Sequence, residues 1–270
     1  PPVRGQLSFL MVACESRSAD MAGFANAHEV AALNEMREIF SAEISSMQSS
    51  GWLTDACICR YLRARKWNVK QAEKMLRASL EWRLDFKPEQ IKWSDVQEEA
   101  LTGKMYVSER FDRQGRPIVY MKPAKENTKS HEGQIKYLVY TLETALRMSA
   151  KSFADVDQPR GSCDDVAPEQ LCIVIDYANW SLSKAPPMKT SAETVTILQN
   201  HYPERLGKAI LINAPTMFSV FWAMVSPFVD NDTKSKMLFA SSSRKRRKQE
   251  LSEHIDLCHL EHEVGGDWQY

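Results

Sequence analysis

LCIVIDY at residues 171–177 and KAILIN at residues 208–213 are the stretches that decide the fold. Each is a short apolar run rich in strand-forming side chains, which is typical of a strand buried on both faces. The patterns around them are helical at 134–150 and 191–202 and strand-like at 104–107, 117–121 and 236–240. Strands that alternate with helices need crossover connections. The sequence therefore predicts an α/β fold with a mixed, mainly parallel sheet.

The first part of the chain has a purely helical pattern. Helical spacing recurs at 27–46, 54–65 and 69–86, and Asn68 with Gln71 has the spacing of a capping box at the start of the third helix. Residues 1–27 have no clear period, so we expect a flexible N-terminus. We expect 28–95 to form a small helical lobe and 96–270 to form the α/β domain.

Composition excludes several classes of protein. Of the 270 residues, 43% are apolar and 26% are charged, which is ordinary for a globular protein and rules out a disordered chain or a rod. The 35 basic and 35 acidic residues cancel, so no net field attracts nucleic acid, and we expect no nucleic-acid partner. Six cysteines in a chain this long indicate free thiols in a reducing compartment.

The sequence contains no recognisable catalytic motif. Glycine-rich phosphate loops, the G-x-S-x-G elbow and H-E-x-x-H are all missing. The tail holds four residues of types that can bind zinc, namely His254, Cys258, His259 and His262. Structural metal sites usually recruit paired cysteines, so we interpret these four as surface or packing residues. We predict no catalytic residue, metal or cofactor, and favour a binding protein over an enzyme.

Residues 216–229 (TMFSVFWAMVSPFV) are apolar on every side of a helix, since ten of the fourteen are Met, Phe, Val, Trp or Ala. Such a helix is either fully buried or meets lipid. Fourteen helical residues span about 21 Å, which is too short for a bilayer core of about 30 Å, and Pro227 is expected to bend or end the helix. Two interpretations remain: a core helix over the sheet, or a movable lid that opens at a membrane.

Basic residues cluster in two places. Residues 55–87 hold nine Lys or Arg against four acids, with Arg60, Arg63, Arg65 and Lys66 close together. This pattern suits either a solvated helix face or an anion site. Residues 244–248 (RKRRK), followed by a helical pattern from Glu250, suit a nuclear or nucleic-acid signal or contact with an anionic membrane.

Three motifs in register resemble the CRAL-TRIO family of lipid-binding proteins. YLRARKW at 61–67 resembles its F-L-R-A-R-K-F stretch, and HYPERLGKAILINA at 201–214 resembles its Y-P-E-R-L-G signature and following strand. PFVDNDTKSKMLF at 227–239 resembles P-F-[LI]-D-x-x-T-x-x-K-[IV]. The resemblance covers about residues 30–267 and is strongest to phosphatidylinositol-transfer proteins of the yeast secretory type.

The resemblance implies helices that form an apolar lipid pocket, with residues 216–229 as the helix that gates it. We call these residues the gate segment. The implied gate and pocket residues are Phe218, Phe221, Trp222, Met224 and Val225. The implied contacts to the phosphatidylinositol headgroup are Arg65, Lys66, Glu204, Thr233 and Lys236. The two cations suited to the phosphodiester are Arg65 and Lys236, whereas Glu204 and Thr233 suit the inositol hydroxyls.

The chain departs from the family at the subsite for a second lipid. Where relatives that carry phosphatidylcholine have a Tyr, a Ser and a Thr, this sequence has Leu142, Leu171 and Ile173. Aliphatic side chains cannot donate hydrogen bonds to a phosphate, so a sterol or another hydrophobic molecule suits this pocket better. DYANWSLSKAP at 176–186 resembles a stretch from such a branch of the family.

The sequence thus predicts a non-enzymatic protein that binds phosphatidylinositol and transfers it between membranes by opening the gate segment. A lipid sensor that presents phosphatidylinositol to a lipid kinase, and a carrier of a sterol or other hydrophobic ligand, are the alternatives. Expected partners are phosphatidylinositol, a second lipid and a transient membrane surface. We expect a monomer in the cytoplasm that associates peripherally with membranes.

Overall fold

The computed structural model describes residues 27–46, 51–154, 170–215, 218–228 and 231–269. Its helices are α1 (Ala27–Ile39), α2 (Ser41–Ser46), α3 (Asp55–Ala64), α4 (Val69–Phe86), α5 (Trp93–Ala100), α6 (His131–Ala154), α7 (Met188–His201), α8 (Phe218–Val225), α9 (Asn231–Ser235) and α10 (Arg244–Ser252). Its strands are β1 (Met105–Phe111), β2 (Pro117–Met121), β3 (Leu171–Asp176), β4 (Leu206–Ile212) and β5 (Met237–Phe239). The predicted flexible N-terminus lies outside the described residues, apart from Ala27.

The described residues divide into two compact units, 27–77 and 78–269, and the boundary falls within α4. The predicted domain limits, 28–95 and 96–270, stay a prediction. In the first unit α1 packs on α3, with Leu33 and Met36 of α1 and Ile58 and Leu62 of α3 buried. Thr54 caps α3 by accepting a hydrogen bond from Cys57 N at 3.2 Å.

One prediction for this unit is wrong in part, because residues 27–46 form two helices and not one. The chain turns at Phe40, which is fully buried and whose ring lies 4.8 Å beneath the Arg77 guanidinium carbon of α4. Burial of this ring accompanies the turn. The predicted cap of α4 is confirmed, since Asn68 Oδ1 accepts a hydrogen bond from Gln71 N at 3.0 Å.

The second unit is built on a five-stranded sheet in the order β1-β2-β3-β4-β5. β1 pairs with β2 in the antiparallel direction, and each following pair is parallel. The connections between parallel strands contain α6, then α7, then α8 and α9. The predicted mixed, mainly parallel α/β sheet is therefore confirmed.

The two faces of the sheet are covered differently. Ile118, Val174 and Ile210 are fully buried on one face, where the C-terminal residues Leu251 and Leu260 join the same apolar cluster. Helices cover the other face and form a second apolar cluster with it. The buried side chains of this second cluster include Val119, Leu171, Ile135, Leu138, Leu142 and Ile197. This second face carries the features that concern function.

Candidate functional site

Three of the five predicted headgroup residues lie near the amino ends of two neighbouring strands. Glu204 comes two residues before β4, and Lys236 comes directly before β5, which pairs in parallel with β4. Because parallel strands start at the same edge of a sheet, Glu204 and Lys236 come together although 32 positions separate them. Thr233, in α9, accepts a hydrogen bond from Lys236 N on its carbonyl oxygen at 3.2 Å.

Charge at this edge is shared by one ammonium and two carboxylates. Lys236 Nζ lies 2.6 Å from Asp232 Oδ2 and 3.8 Å from Glu204 Oε2. The Asp232 side chain is 65% exposed, whereas those of Lys236 and Glu204 are mostly covered. Glu204 also has a positive φ of 59°, a left-handed conformation that is unusual for a residue with a side chain. The closer ion pair of the ammonium is therefore with the exposed Asp232, and the covered Glu204 carboxylate lies further away.

The other two predicted headgroup residues belong to the first unit. Arg65 follows α3, is half-buried and donates a hydrogen bond from Nη1 to the carbonyl oxygen of Ala64 at 3.0 Å. Lys66 is exposed and has a positive φ of 51°. Both form part of the turn that ends α3, which Trp67 closes by donating from its N–H to Leu62 O at 2.7 Å.

The predicted gate segment contains α8, followed by a single 3-10 turn at Ser226–Phe228. The predicted effect of Pro227 is confirmed, because the α-helix ends at Val225 and the proline lies in the tighter turn. Phe218 is buried and Trp222 is half-buried, whereas Val220 is exposed. The side chains of Phe221, Met224 and Val225 lie outside the described part of the structure.

Phe218 is enclosed by other aromatic rings. The ring centroids of Tyr177, Trp180, Trp222 and Phe239 lie 4.6, 6.4, 6.4 and 6.1 Å from that of Phe218. Together with Phe218 these four residues form what we call the aromatic cluster. Burial raises the pKa of the Tyr177 hydroxyl, so its phenol stays neutral. The cluster fastens the start of α8 to the carboxyl ends of β3 and β5.

Sequence reasoning did not identify Tyr177, Trp180 or Phe239 as functional residues. A signal was present, since Tyr177 directly follows β3 and Phe239 ends β5. In an α/β sheet, residues that follow the carboxyl ends of strands are the ones that face ligands or covering segments. These positions could have been proposed from the predicted strands alone.

The three residues predicted for a second lipid are not equally buried. Leu142 of α6 and Leu171 of β3 are almost fully covered and belong to one apolar cluster. Ile173, two positions further along β3, is only half-buried, as is Ile175. β3 is the central strand and pairs with neighbours on both sides. A half-buried side chain at its centre therefore indicates that the described helices do not cover this sheet face completely.

The basic run 244–248 differs from the prediction, because it forms the start of α10 and does not precede a helix that begins at Glu250. Three of its five cations have partners within the protein. Arg246 and Lys248 pair with Glu250 and Asp267 at 3.1 and 2.8 Å. Arg247 Nη1 donates to Asn213 Oδ1 at 2.5 Å, and Asn213 Nδ2 donates to Asp176 Oδ1 at 2.8 Å. These bonds hold α10 at the carboxyl edge of β3 and β4.

Two further properties follow from the described residues. Among them, no three His, Cys, Asp or Glu side chains gather in a group that could hold a metal ion. Of the helices formed by these residues, none combines the length and apolarity required to traverse a bilayer.

Comparison with known proteins assigns the chain to a family. The CRAL/TRIO domain matches residues 101–266, and the CRAL/TRIO N-terminal domain matches residues 32–78. The chain therefore belongs to the CRAL/TRIO family, as its three motifs predicted. This agrees with the prediction of a lipid-binding protein rather than an enzyme.

Individual relatives are similar over most of this chain. CRAL-TRIO domain-containing protein C23B6.04c of Schizosaccharomyces pombe is 36% identical over 76% of the chain and 19% of its own length. Phosphatidylinositol transfer protein PDR17 of Saccharomyces cerevisiae is 34% identical over 70% of the chain and 53% of its own length. The chain thus spans between a fifth and about half of these relatives. The crystal structure of Sfh5 shares the fold with a TM-score of 0.57 at 16% identity, over 80% of this chain and 81% of that one.

Proposed function

We propose that this chain binds phosphatidylinositol and transfers it between membranes by opening the gate segment. The observation that carries the proposal is the pairing of an apolar helix with an incompletely covered sheet face. α8 exposes Val220 to solvent, while Ile173 and Ile175 of the neighbouring sheet stay half-buried. Acyl chains that bind over such a face contribute about 0.8 kcal/mol of binding free energy for each methylene group that they bury.

The ammonium of Lys236 supports the choice of an anionic headgroup. A phosphodiester carries one negative charge, which is costly to bury without a partner. Lys236 already pairs with Asp232, but that carboxylate is largely exposed, and exposed ion pairs contribute only about 0–1 kcal/mol. Exchange of Asp232 for a phosphate therefore costs little. The match to a relative named phosphatidylinositol transfer protein supports the same ligand.

Glu204 and Thr233 complete the proposed headgroup contacts within the second unit. Glu204 accepts hydrogen bonds when ionised, and Thr233 can donate or accept, so both suit a ring of hydroxyls. The assignment of Arg65 and Lys66 to the headgroup stays a prediction from the resemblance. Apolar residues Leu142, Leu171 and Ile173 support a second ligand with little hydrogen-bonding capacity, such as a sterol, in preference to phosphatidylcholine.

The central test is the charge reversal Lys236→Glu, assayed by transfer of labelled phosphatidylinositol between vesicles. The variant gathers three carboxylates at residues 204, 232 and 236, so we expect transfer to be abolished. The fold is expected to persist, because the shorter of the two ion pairs that are lost involves Asp232, whose side chain is 65% exposed. Lys234→Glu, two positions earlier, makes the same charge change outside the proposed contacts and serves as the matched control. Undiminished transfer by Lys236→Glu would refute the assigned site.

The identity of the ligand is tested by native mass spectrometry of the purified protein. One phosphatidylinositol per chain is the expected result. A bound sterol without phosphatidylinositol would favour the alternative carrier, and phosphatidylcholine bound as readily as phosphatidylinositol would contradict the apolar second subsite. Strong stimulation of a lipid kinase at a slow transfer rate would favour the sensor. A cytoplasmic location with transient membrane contact belongs to the same proposal.

A further inference from the structure

The carboxyl edge of the sheet exposes apolar side chains that a folded protein normally covers. Val220 of α8 and Phe239 of β5 are 57% and 48% exposed. The ring of Phe239 lies 5.7 Å from that of Trp222 and 6.1 Å from that of Phe218, so this exposed ring continues the buried aromatic cluster to the surface. Val220 lies two residues after Phe218 and adds a second exposed apolar side chain, on α8 itself. An apolar surface that extends from a core cluster is typical of a contact site.

Exposed positive charge lies beside this apolar surface. Residues 240–243 join Phe239 to α10, which begins with Arg244 and Lys245, and both side chains are exposed. In the part of the chain that the structure describes, neither cation takes part in an ion pair. Their three successors in the run are bound to Glu250, Asn213 and Asp267, so the internal partners nearby are already engaged.

Residues 240–247, which lead into α10 and form its first turn, are held at this edge by three bonds. Ala240 N donates to Leu211 O at 2.9 Å, and Ser241 N donates to Glu250 Oε2 at 2.7 Å. The third bond joins Arg247 to Asn213, which directly follows β4. Because Leu211 pairs with Phe239 across β4 and β5, these bonds keep the cations and the exposed phenylalanine at the same edge.

We propose that Val220, Phe239, Arg244 and Lys245 form a docking surface for a membrane leaflet rich in acidic phospholipid. The inference rests on the proposed lipid-transfer function and names the membrane on which the gate segment opens. Apolar side chains enter the boundary between headgroups and acyl chains, and the adjacent cations meet the negative surface potential. This combination selects a membrane over nucleic acid, which offers no apolar layer for Val220 and Phe239.

The test measures binding of the full chain to sedimented phosphatidylcholine vesicles with and without phosphatidylserine. Each cation near an acidic leaflet strengthens binding roughly fivefold, so the double variant Arg244→Ser/Lys245→Ser is expected to bind roughly thirtyfold more weakly to the acidic vesicles. Its binding to neutral vesicles is expected to change little, and the difference from wild type is expected to vanish at high salt. The control Arg113→Ser/Arg147→Ser removes two exposed cations from elsewhere on the unit.

A second variant tests the apolar part. Phe239→Ser is expected to weaken binding to both kinds of vesicle roughly five- to tenfold, whereas Leu84→Ser, which changes a side chain 72% exposed on α4, is expected to leave binding unchanged. Melting temperatures establish that each variant is folded. If the double variant and Phe239→Ser both bind acidic vesicles as tightly as wild type, the docking surface is wrong.

Failure of the docking surface can be separated from failure of the proposed function. Native mass spectrometry of the same preparations reports bound phosphatidylinositol independently of vesicles. Wild-type protein without phosphatidylinositol overturns the proposed function. Protein that carries phosphatidylinositol, but whose docking variants bind and transfer like wild type, overturns only the docking surface.

Discussion

Replacement of Phe218 by alanine tests whether the aromatic cluster holds the gate segment closed. Phe218 is 4% exposed and is the only buried residue among the five α8 side chains that the structure describes. Truncation of a buried phenylalanine typically costs about 3–5 kcal/mol. Since α8 has only eight residues, and Phe218 is its one buried side chain among those described, we expect most of this loss to act on the docking of α8.

The expected magnitude follows from that number. A loss of about 3 kcal/mol in the docking of α8 raises the population of the undocked state by roughly a hundredfold. Hydrogen exchange of the α8 amides is expected to accelerate by this factor, while exchange in β3 and β4 follows global stability. If opening limits the proposed transfer, the initial rate of phosphatidylinositol transfer rises in the same variant.

Ile210→Ala is the matched control for this experiment. Ile210 is fully buried on the opposite face of the same sheet, and its truncation costs about 2–5 kcal/mol. This control is expected to lower the melting temperature without selectively accelerating exchange in α8. The reasoning is refuted if Phe218→Ala lowers the melting temperature as much as Ile210→Ala and leaves α8 exchanging with the global unfolding rate.

Two further predictions concern stability. The pKa of His201 is lowered to about 4, mainly by burial of the imidazole and to a smaller extent by the nearby charge of Arg83. Below about pH 6.5 the histidine of the unfolded chain therefore binds a proton, whereas that of the folded protein stays neutral down to about pH 4. We expect the unfolding free energy to fall by about 1–2 kcal/mol between pH 6.5 and pH 4, a value reduced to allow for the partial exposure of His201. Urea titrations of the variant His201→Phe are expected to lack this pH dependence. Asn213, with a φ of 55°, bridges Asp176 and Arg247, so Asn213→Gly is expected to lower the unfolding free energy by about 1–3 kcal/mol. Asn213→Ala is expected to lose more because its backbone is strained, and equal melting temperatures of the two variants would argue against this account.

The strands were predictable because their signal is local. β2, β3 and β4 are nearly continuous apolar runs, and their predicted limits agree with the structure to within two residues. Helix α5 was not predicted, because its inward face is partly polar. Glu99 is buried there and pairs with Lys104, so the apolar period that marks a helix is interrupted.

Helix α10 shows why a basic run is difficult to interpret from sequence. Its first five residues have no apolar side chain, and Leu251 is the one buried residue of the helix. Bonds to Asn213 and Asp267 contribute to its attachment, and no periodicity reveals such partners. Likewise, the proximity of Glu204 to Lys236 is a result of sheet order, since only the pairing of β4 with β5 brings the starts of these strands together.

The unequal faces of the sheet make the proposed opening of the gate segment compatible with a stable core. On one face, Ile118, Val174 and Ile210 pack fully against the C-terminal segment, so this half of the core does not depend on the gate segment. On the other face, Phe218 of α8 packs in the aromatic cluster, and Ile173 and Ile175 of the central strand are half-buried. In the proposed opening, the described contacts that α8 gives up are those of the aromatic cluster, and the apolar cluster on the opposite face is not among them. An acidic membrane at the carboxyl edge, where that cluster continues into exposed Phe239, would receive the apolar surface that opening creates and so lower its cost.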